Sequence, residues 1–252
     1  MKDIYASLLI AIGFNLWIFL VAYFFSTDLL TDISYSATFL IVLSHVFTKH
    51  TTRVNTIAYL MILVWAFRLG GYLFLRIVKT RKDKRFDQIR NSFIKFLGFF
   101  TLQGVTVFMV IFPCIYLFQQ EEENLTLASM PGFVTYLLGI MIESIADHQK
   151  YRFRNDPKNK DKWIAHGLWH HSRHPNYFGE ILVWTGLYLF AFPHLAHTHR
   201  MIGAASPLYI FCLLYFVSGV PMLEKSADKR WGKDPAYQDY KKRTSILIPF
   251  IW

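Results

Sequence analysis

Charged residues are scarce in this sequence. Asp, Glu, Lys and Arg make up only 17% of its 252 residues, whereas about a quarter is typical of a soluble domain. Hydrophobic residues make up 54%, and they lie in long runs with little of the alternation that marks a half-buried strand. The composition therefore argues against a soluble globular domain and favours a chain embedded in a membrane.

Cysteine is also rare, since Cys114 and Cys212 are the only two, and both lie inside apolar runs. Two distant cysteines in such surroundings predict neither a disulfide framework nor a metal site, and we expect both to be buried. The histidines between His148 and His199 form no metal-binding pair on a predicted helix, so no metal is expected. The sequence shows no repeat, low-complexity linker or shift in composition, which predicts one domain over residues 1–252.

Seven apolar runs approach the ~20 residues that a helix needs to cross a bilayer. The first has no basic leader and no small-residue cleavage site before further spans follow, so it is predicted to be a span and not a removable signal. The pattern predicts an all-α, polytopic membrane protein with about seven transmembrane helices. They lie near residues 4–25, 33–48, 55–75, 96–118, 131–147, 178–193 and 203–222.

Positive charge is concentrated on one side of these predicted spans. Of the 27 Lys and Arg residues, 22 fall in the segments on the side that holds the loops near 76–95 and 150–173 and the C-terminal tail. The positive-inside rule therefore predicts an N-terminus outside and a cytoplasmic C-terminus. Lipid headgroups account for most of this charge, so nucleic-acid binding is not expected, although an anionic ligand would fit.

The stretch between the fifth and sixth predicted spans, residues 143–180, is the richest in polar side chains. Glu143 and Asp147 lie four residues apart at the end of an apolar helix and so share one face, which Arg154 joins if the helix continues. Ionisable residues at a membrane boundary are costly unless they are paired or hydrated, which makes them candidates for binding. Interfacial ion pairs that stabilise helix ends are the alternative explanation.

The start of the sixth predicted helix offers a second set of candidates. Pro175 suits the first turn of a helix, because it lacks an N–H group and its φ is fixed. The free amides at that end suit an anion. Asn176, Tyr177 and Glu180 follow within one turn, where Asn and Glu side chains can hydrogen-bond a planar amide.

These motifs closely resemble the steroid 5-alpha-reductase family, in particular its bacterial DUF1295-type members. The resemblance covers the chain from about Asp32 to the C-terminus. It is specific in the C-terminal half, residues 140–252, and loose in the first two spans. The residues that carry it are Trp65–Tyr72, Asp147–Lys150, Gly167–Trp169, Ser172–Glu180, Ser218–Glu224, Tyr237–Tyr240 and Ile248-Pro249.

The resemblance implies an oxidoreductase that uses NADPH. Such an enzyme reduces the carbon–carbon double bond of a conjugated ketone in a lipid, such as a 3-oxo-4-ene steroid. By motif, Asn176 and Glu180 would hold the nicotinamide carboxamide. The cofactor-binding residues that the resemblance implies are Arg68, Tyr72, Arg76, Arg85, Arg90, Glu143, Asp147, Arg154, Lys162, Trp169, Ser172, Arg173, His174, Asn176, Tyr177, Glu180, Tyr237 and Tyr240.

Some of these residues have a structural alternative. Aromatic packing at the membrane interface is the favoured explanation of Trp169, as it is of Trp184 and Tyr188. Tyr237 and Tyr240 are explained equally well as surface aromatics of the tail. Arg173 is different, because its turn adjoins the nicotinamide site that the resemblance implies, and a binding role is favoured.

The reaction also needs an acid or a dipole at the ketone oxygen, where enolate charge develops. Steroid enzymes of this family use a carboxyl on the second span and a tyrosine on the third, and the corresponding spacing here offers Asp32 and Trp65 as catalytic residues. Asp32 would act if burial keeps it protonated. Trp65 can donate a hydrogen bond but no proton. A loop residue that caps the second helix explains Asp32 equally well.

Two other functions fit part of the pattern. An S-adenosylmethionine-dependent membrane methyltransferase of the isoprenylcysteine carboxyl type has a similar Arg-His-Pro-x-Tyr turn, but its cofactor lacks phosphates for so many arginines. A lipid-binding or transport protein would gather its polar groups near the midplane, where Arg68 stands alone.

The sequence therefore favours an NADPH-dependent reductase of an apolar, steroid-like or polyprenoid lipid. Its expected partners are that substrate and the membrane lipids, with no obligate protein partner. The short loops suit a bacterial inner membrane, with the cofactor site facing the cytoplasm.

Overall fold

The computed structural model describes residues 2–80, 89–121 and 123–251, with the backbone alone for residues 75–80. Of the described residues, 79% are helical, and none lies in a β-strand. The helices are α1 (Lys2–Phe24), α2 (Leu29–Phe47), α3 (Arg53–Thr80), α4 (Phe93–Leu117), α5 (Met130–Asn155), α6 (Leu168–His171), α7 (Pro175–Ala191), α8 (His197–Gly203), α9 (Ala205–Cys212), α10 (Val220–Trp231) and α11 (Pro235–Arg243).

Six segments of the described chain are long and apolar enough to cross a membrane. This confirms the prediction of an all-α polytopic membrane protein. The sixth predicted span corresponds to α7, whose 17 residues lie at the lower limit for crossing a bilayer. The orientation stays a prediction. The six segments are Lys2–Phe24, Leu29–Phe47, Arg53–Phe74, Phe93–Leu117, Leu127–Asn155 and His197–Trp231.

The last predicted span, residues 203–222, is not one continuous α-helix. After α9, residues Leu213–Val217 form a π-helical turn, and the Ser218 N–H donates to the Leu213 carbonyl at 2.8 Å. Gly219 follows, where an added Cβ would lie 2.6 Å from the Leu214 carbonyl oxygen. Hydrophobicity does not reveal this interruption, because the residues of the π turn are as apolar as those of the flanking helices.

The two cysteines have different environments. Cys114 is buried, as expected, whereas Cys212 is exposed on the protein surface, so that part of the expectation is wrong. An apolar run predicts an apolar environment, and in a membrane-spanning segment lipid supplies that environment as readily as protein does.

The chain divides into two compact units, each described by itself. The first contains Met1–Ser129 and Phe190–Ser206, and the second contains Met130–Leu189 and Pro207–Trp252. The prediction of one domain over the whole chain stays a prediction.

In the first unit, a buried polar network joins α1, α2 and α4. The Asn15 amide donates to Thr38 Oγ1 at 3.0 Å. The Gln103 amide donates to Asn15 Oδ1 and to Ser34 Oγ, both at 2.8 Å. Amide and hydroxyl groups inside a membrane protein need partners within the protein, so this network favours one mutual alignment of the three helices.

In the second unit, glycines bring α5 and α7 into close backbone contact. A Cβ added at Gly179 would lie 2.7 Å from the Glu143 nitrogen, and one at Gly139 would lie 2.6 Å from the Val183 nitrogen. Gly186 is similarly crowded. Small residues are what allow two membrane helices to approach so closely. The contact places Glu143 of α5 directly against the first turns of α7, which carry the polar motif.

Candidate functional site

The turn between α6 and α7 is held by the C-terminal tail. Ser172 Oγ donates to the Leu247 carbonyl at 2.7 Å, and the Arg173 N–H donates to the Ser245 carbonyl at 2.8 Å. Ser172 Oγ also accepts the His174 N–H at 3.1 Å. These contacts fix the backbone immediately before α7. The predicted start of that helix at Pro175 is confirmed.

Gly167 begins the short helix α6 in a conformation that suits glycine. Its φ is +62°, and a Cβ there would lie 2.4 Å from the side-chain nitrogen of Gln149. Gln149 Oε1 in turn accepts the Leu168 N–H at 3.0 Å. The Gly-Leu-Trp motif therefore docks α6 against the end of α5, a role that its spacing alone does not reveal.

Trp169 and Tyr240 connect α6 to α5 and α11. Trp169 Nε1 donates to the Ala146 carbonyl at 3.1 Å, and the Tyr240 hydroxyl donates to the Trp169 carbonyl at 2.8 Å. Burial raises the pKa of Tyr240, which keeps its hydroxyl protonated as a donor. The packing explanation thus accounts for Trp169, whereas the explanation of Tyr240 as a surface aromatic is wrong.

Tyr237 is also internal, in a cluster of aromatic rings. Its ring centroid lies 5.2 Å from that of Trp163 and 5.8 Å from that of Trp231. Burial raises the pKa of Tyr237 to about 12. The surface explanation is therefore wrong for this residue as well, because the cluster packs α11 onto the rest of the second unit.

Glu224, on α10, is the charged centre of the site. Its Oε2 lies 2.9 Å from Arg173 Nη1 and 3.5 Å from Lys241 Nζ, and its Oε1 lies 3.0 Å from His174 Nε2. Burial lowers the pKa of His174, although the hydrogen bond to Glu224 opposes this shift. The imidazole is therefore neutral at pH 7, and its contact with Glu224 is a hydrogen bond and not an ion pair.

Three nearby side chains keep buried polar atoms without a hydrogen-bond partner in the described part of the chain. The atoms are Arg173 Nε, His174 Nδ1 and Asn176 Oδ1, while Arg173 Nη1 lacks a hydrogen bond but forms the ion pair with Glu224. Because buried polar atoms in native proteins are almost always bonded, such a group within four sequence positions makes this turn the candidate for ligand binding. Since Glu224 accepts from His174 Nε2, the neutral ring presents Nδ1 as an acceptor. A ligand here meets one donor and two acceptors.

Two more residues of the motif lie on α7. The Tyr177 ring stacks on His174, with centroids 5.6 Å apart and planes at 10°. Glu180 is buried, and its Oε1 accepts the Trp184 Nε1–H at 2.8 Å. The hydrogen bond orients the Glu180 carboxylate in the same helix that presents Asn176.

The candidates on α5 differ in their exposure. Glu143 and Asp147 are both buried, as their shared face suggests. Arg154 lies in the last turn of α5, which continues to Asn155, and its side chain is exposed. Lys162, in the loop beyond, is exposed too. The structure thus buries the two carboxylates, with Glu143 against α7, and leaves the two cations at the surface.

The predicted catalytic residues belong to the first unit. Trp65 is fully buried, with its ring centroid 4.7 Å from that of Phe39. Asp32 lies in the first turn of α2, whereas Asp28 holds the N-cap position, so the explanation of Asp32 as a helix cap is wrong. Arg90 forms a largely buried ion pair with Asp28 at 3.2 Å. Its predicted cofactor role stays a prediction.

The other basic candidates lie on or beyond α3. Arg68 and Tyr72 are half-buried on that helix. Arg76 lies on the same helix, with its backbone alone described, and Arg85 falls outside the described residues. Their predicted contacts with the cofactor's phosphates stay predictions.

Glu224 is the residue that the sequence-based selection omits. It stands in the motif Ser218–Glu224 but has no role assigned from that motif. One signal could have found it: an acidic residue at the end of an apolar segment, followed by the basic residues Lys225, Lys229 and Arg230. A carboxylate at a membrane boundary needs a cationic partner, and Arg173 of the α7 turn supplies one.

Comparison with known proteins gives this site a context. The family model described as "Protein of unknown function (DUF1295)" matches residues 18–244. The 3-oxo-5-alpha-steroid 4-dehydrogenase 1 of Macaca fascicularis is 31% identical over 121 residues, which cover 48% of this chain and 40% of that protein. The Homo sapiens protein of the same name is 28% identical over 121 residues, covering 48% and 41%.

The matched region therefore spans only about two fifths of the length of these curated relatives. No solved structure matches the chain at a significant level. The family model, by contrast, extends over most of the sequence, and together with these relatives it supports the predicted likeness to steroid 5-alpha-reductases. The chain belongs to the DUF1295 family.

Proposed function

We propose that this protein is an NADPH-dependent membrane reductase. Its substrate is an apolar lipid with a carbon–carbon double bond conjugated to a ketone, such as a 3-oxo-4-ene steroid. The observation that carries the proposal is the set of unpartnered buried atoms on Arg173, His174 and Asn176. The names of the curated relatives suggest the class of reaction.

The unpartnered atoms fit the nicotinamide end of the cofactor. A primary carboxamide supplies two N–H donors and one carbonyl acceptor, which complements two acceptors and one donor. Arg173 Nε–H would donate to the carbonyl, while His174 Nδ1 and Asn176 Oδ1 would accept from the amide. Glu180, buried one turn after Asn176, would share one of these two amide hydrogens as a second acceptor.

The charge around the site fits a phosphorylated ligand. Arg173 and Lys241 lie beside Glu224, and Lys150 Nζ lies 4.6 Å from the centre of the Trp169 ring. These cations offer partners to the phosphates of NADPH, which S-adenosylmethionine lacks. The methyltransferase alternative is disfavoured on that ground.

The protein's part in the reaction is to bind and orient the cofactor and to polarise the ketone of the substrate. When bound, NADPH supplies the hydride, so the chain needs no nucleophile of its own. Residues of the α7 turn would orient the nicotinamide ring. In the first unit, Asp32 and Trp65 stay the candidates for stabilising the charge that develops on the ketone oxygen.

The expected setting is a bacterial inner membrane with the C-terminus in the cytoplasm. The strongly asymmetric distribution of Lys and Arg supports that orientation. Cytoplasmic NADPH would then reach the α7 turn and the tail from the water, and the lipid substrate would enter from the bilayer.

Ligand-induced stabilisation of the purified protein in detergent tests this proposal. A ligand at 100 times its dissociation constant stabilises the folded state by about 2.7 kcal/mol. We expect NADPH to raise the melting temperature and S-adenosylmethionine to leave it unchanged. Arg173→Ala should abolish the NADPH effect, whereas Arg243→Ala, which removes an exposed partner of Asp239, should preserve it. Stabilisation by S-adenosylmethionine alone would refute the proposal.

A further inference from the structure

We infer that Glu224 is a positioning residue of the α7 turn: it selects the tautomer of His174 and holds the guanidinium of Arg173. The atoms that remain, Arg173 Nε–H and His174 Nδ1, then present a donor and an acceptor to a ligand. This inference rests on the proposed function only in taking NADPH as that ligand.

The two oxygens of the Glu224 carboxylate contact different residues. Oε1 lies 3.0 Å from His174 Nε2, and Oε2 lies 2.9 Å from Arg173 Nη1. An ionised carboxylate can only accept hydrogen bonds, so the neutral imidazole must carry its hydrogen on Nε2. Nδ1 is then an acceptor. The opposite tautomer would place two acceptors face to face at Nε2 and turn Nδ1 into a donor.

Glu224 is itself held in place. Gly219, beside the first turn of α10, packs against the Tyr177 ring so closely that an added Cβ would lie 2.9 Å from it. The same ring stacks on His174, so α10 is packed against the α7 turn. Lys241 Nζ, on α11, lies 3.5 Å from the second carboxylate oxygen. The carboxylate is thus fixed by α10, α11 and the α7 turn together. Supporting contacts of this kind set the orientation of groups that touch a ligand.

The charges around His174 make this role specific to Glu224. Lys150 and Arg173 both oppose a positive charge on the ring, and Glu224 is the acidic group that favours one. Lys241 pairs with the Glu224 carboxylate, at 3.5 Å from its Oε2. Replacing Glu224 therefore changes the hydrogen-bonding state of His174 without requiring that the ring become charged.

Glu224→Gln gives a sharp test. Arg173 requires an acceptor, so the glutamine oxygen should pair with it, and the glutamine NH₂ group then faces His174 Nε2. The ring should respond by moving its hydrogen to Nδ1. Nitrogen-15 NMR of histidine-labelled protein without ligand distinguishes the two tautomers, and His174→Gln identifies the signal. We expect the wild type to carry hydrogen on Nε2 and Glu224→Gln to carry it on Nδ1.

Cofactor affinity is the second measurement. Because Nδ1 becomes a donor in Glu224→Gln, the dissociation constant for NADPH should rise about tenfold or more. Asp228→Asn is the matched control, since Asp228 lies one turn further along α10 and pairs with Lys241 at 2.6 Å. That variant should keep both the wild-type tautomer and the wild-type affinity.

The two proposals fail in different ways. If the wild type does not bind NADPH, the proposed function is refuted. The tautomer measurement is made without ligand, so it still tests whether Glu224 selects the tautomer of His174. An unchanged tautomer in Glu224→Gln overturns the inference. If that variant does not fold, Glu224→Asp decides: its shorter side chain should weaken the Nε2–H preference, and a fully retained preference would overturn the inference.

Discussion

His174 shows how burial and one neighbour determine the state of a single side chain. Its two ring nitrogens differ: Nε2 forms a hydrogen bond with Glu224, and Nδ1 has no hydrogen-bond partner within the described residues. The sequence shows a histidine before a proline in a recognisable motif, which suggests importance. It cannot show which nitrogen is used, because the partner lies 50 residues away on another helix.

The lowered pKa of His174 predicts a specific dependence of stability on pH. An unfolded histidine has a pKa of about 6.5, and the folded pKa lies below that value. The unfolded state therefore binds the proton more readily between the two values. The stabilisation is complete above the unfolded pKa and is lost as the pH falls towards the folded pKa.

Melting temperatures of the wild type and of His174→Gln, recorded between about pH 5 and 7.5, check this dependence. We expect the wild type to lose stability more steeply than the variant as the pH falls below about 6.5. Parallel pH profiles for the two proteins would contradict the assignment of a neutral, buried imidazole.

Gly167 makes a second prediction at this scale. Gly167→Ala should destabilise the second unit by at least ~1–2 kcal/mol, because an L-residue at φ +62° is strained. The new methyl group would also collide with Gln149. Gly13→Ala is the control, since its Cβ would meet nothing within 4 Å. Thermal unfolding compares the two, and equal melting temperatures would show that the turn is not required.

Among the helices, α5 and α7 form the element pair that supports the site. Gly139, Gly179 and Gly186 let their backbones approach, and Glu143 lies at the contact. The apolar pattern of each helix is evident from the sequence. Their partnership is not, because glycine in a membrane helix is common and its neighbour depends on tertiary packing.

Gly179→Ala tests this pairing. Its Cβ would lie 2.7 Å from the Glu143 nitrogen, so the two helices must separate locally. We expect weaker NADPH binding together with a lower melting temperature, because α7 carries Asn176 and Glu180. Gly13→Ala again serves as the control for a glycine in a membrane helix. Wild-type affinity for NADPH in Gly179→Ala would show that this contact does not position the site.

The ends of elements were predictable where the cause is local. Pro175 determines the start of α7 through its own chemistry, and that prediction is confirmed. The π turn after α9 and the pairing of Ser172 with the tail were not predictable. The π turn depends on backbone hydrogen bonds, which every non-proline residue can make. The Ser172 hydroxyl donates to the backbone carbonyl of Leu247, an acceptor that any residue at that position would offer.

For the whole molecule, the length of the apolar runs and the scarcity of charged residues were enough to predict the fold class. The long apolar runs gave the all-α membrane architecture, and six of the seven predicted spans meet the requirement for length and composition in the described residues. The residue motifs gave the family, which the match over residues 18–244 supports. The orientation, the cofactor and the substrate stay predictions.

The division into two units explains why the catalytic residues are harder to assign than those proposed for the cofactor. The α7 turn, α10 and the tail belong to one unit, and their contacts with one another are direct. Asp32 and Trp65 belong to the other unit. Their roles depend on a substrate that the sequence identifies only as apolar.

Transfer of the hydride itself is the most direct measurement of the central claim. Membranes that contain the protein are supplied with a 3-oxo-4-ene steroid and with NADPH that carries deuterium at both C4 positions of the nicotinamide. The lipid product is analysed by mass spectrometry. We predict a saturated ketone with one deuterium, formed by the wild type and not by Arg173→Ala. Wild-type membranes that form no saturated ketone, or a saturated ketone without deuterium, would contradict the account.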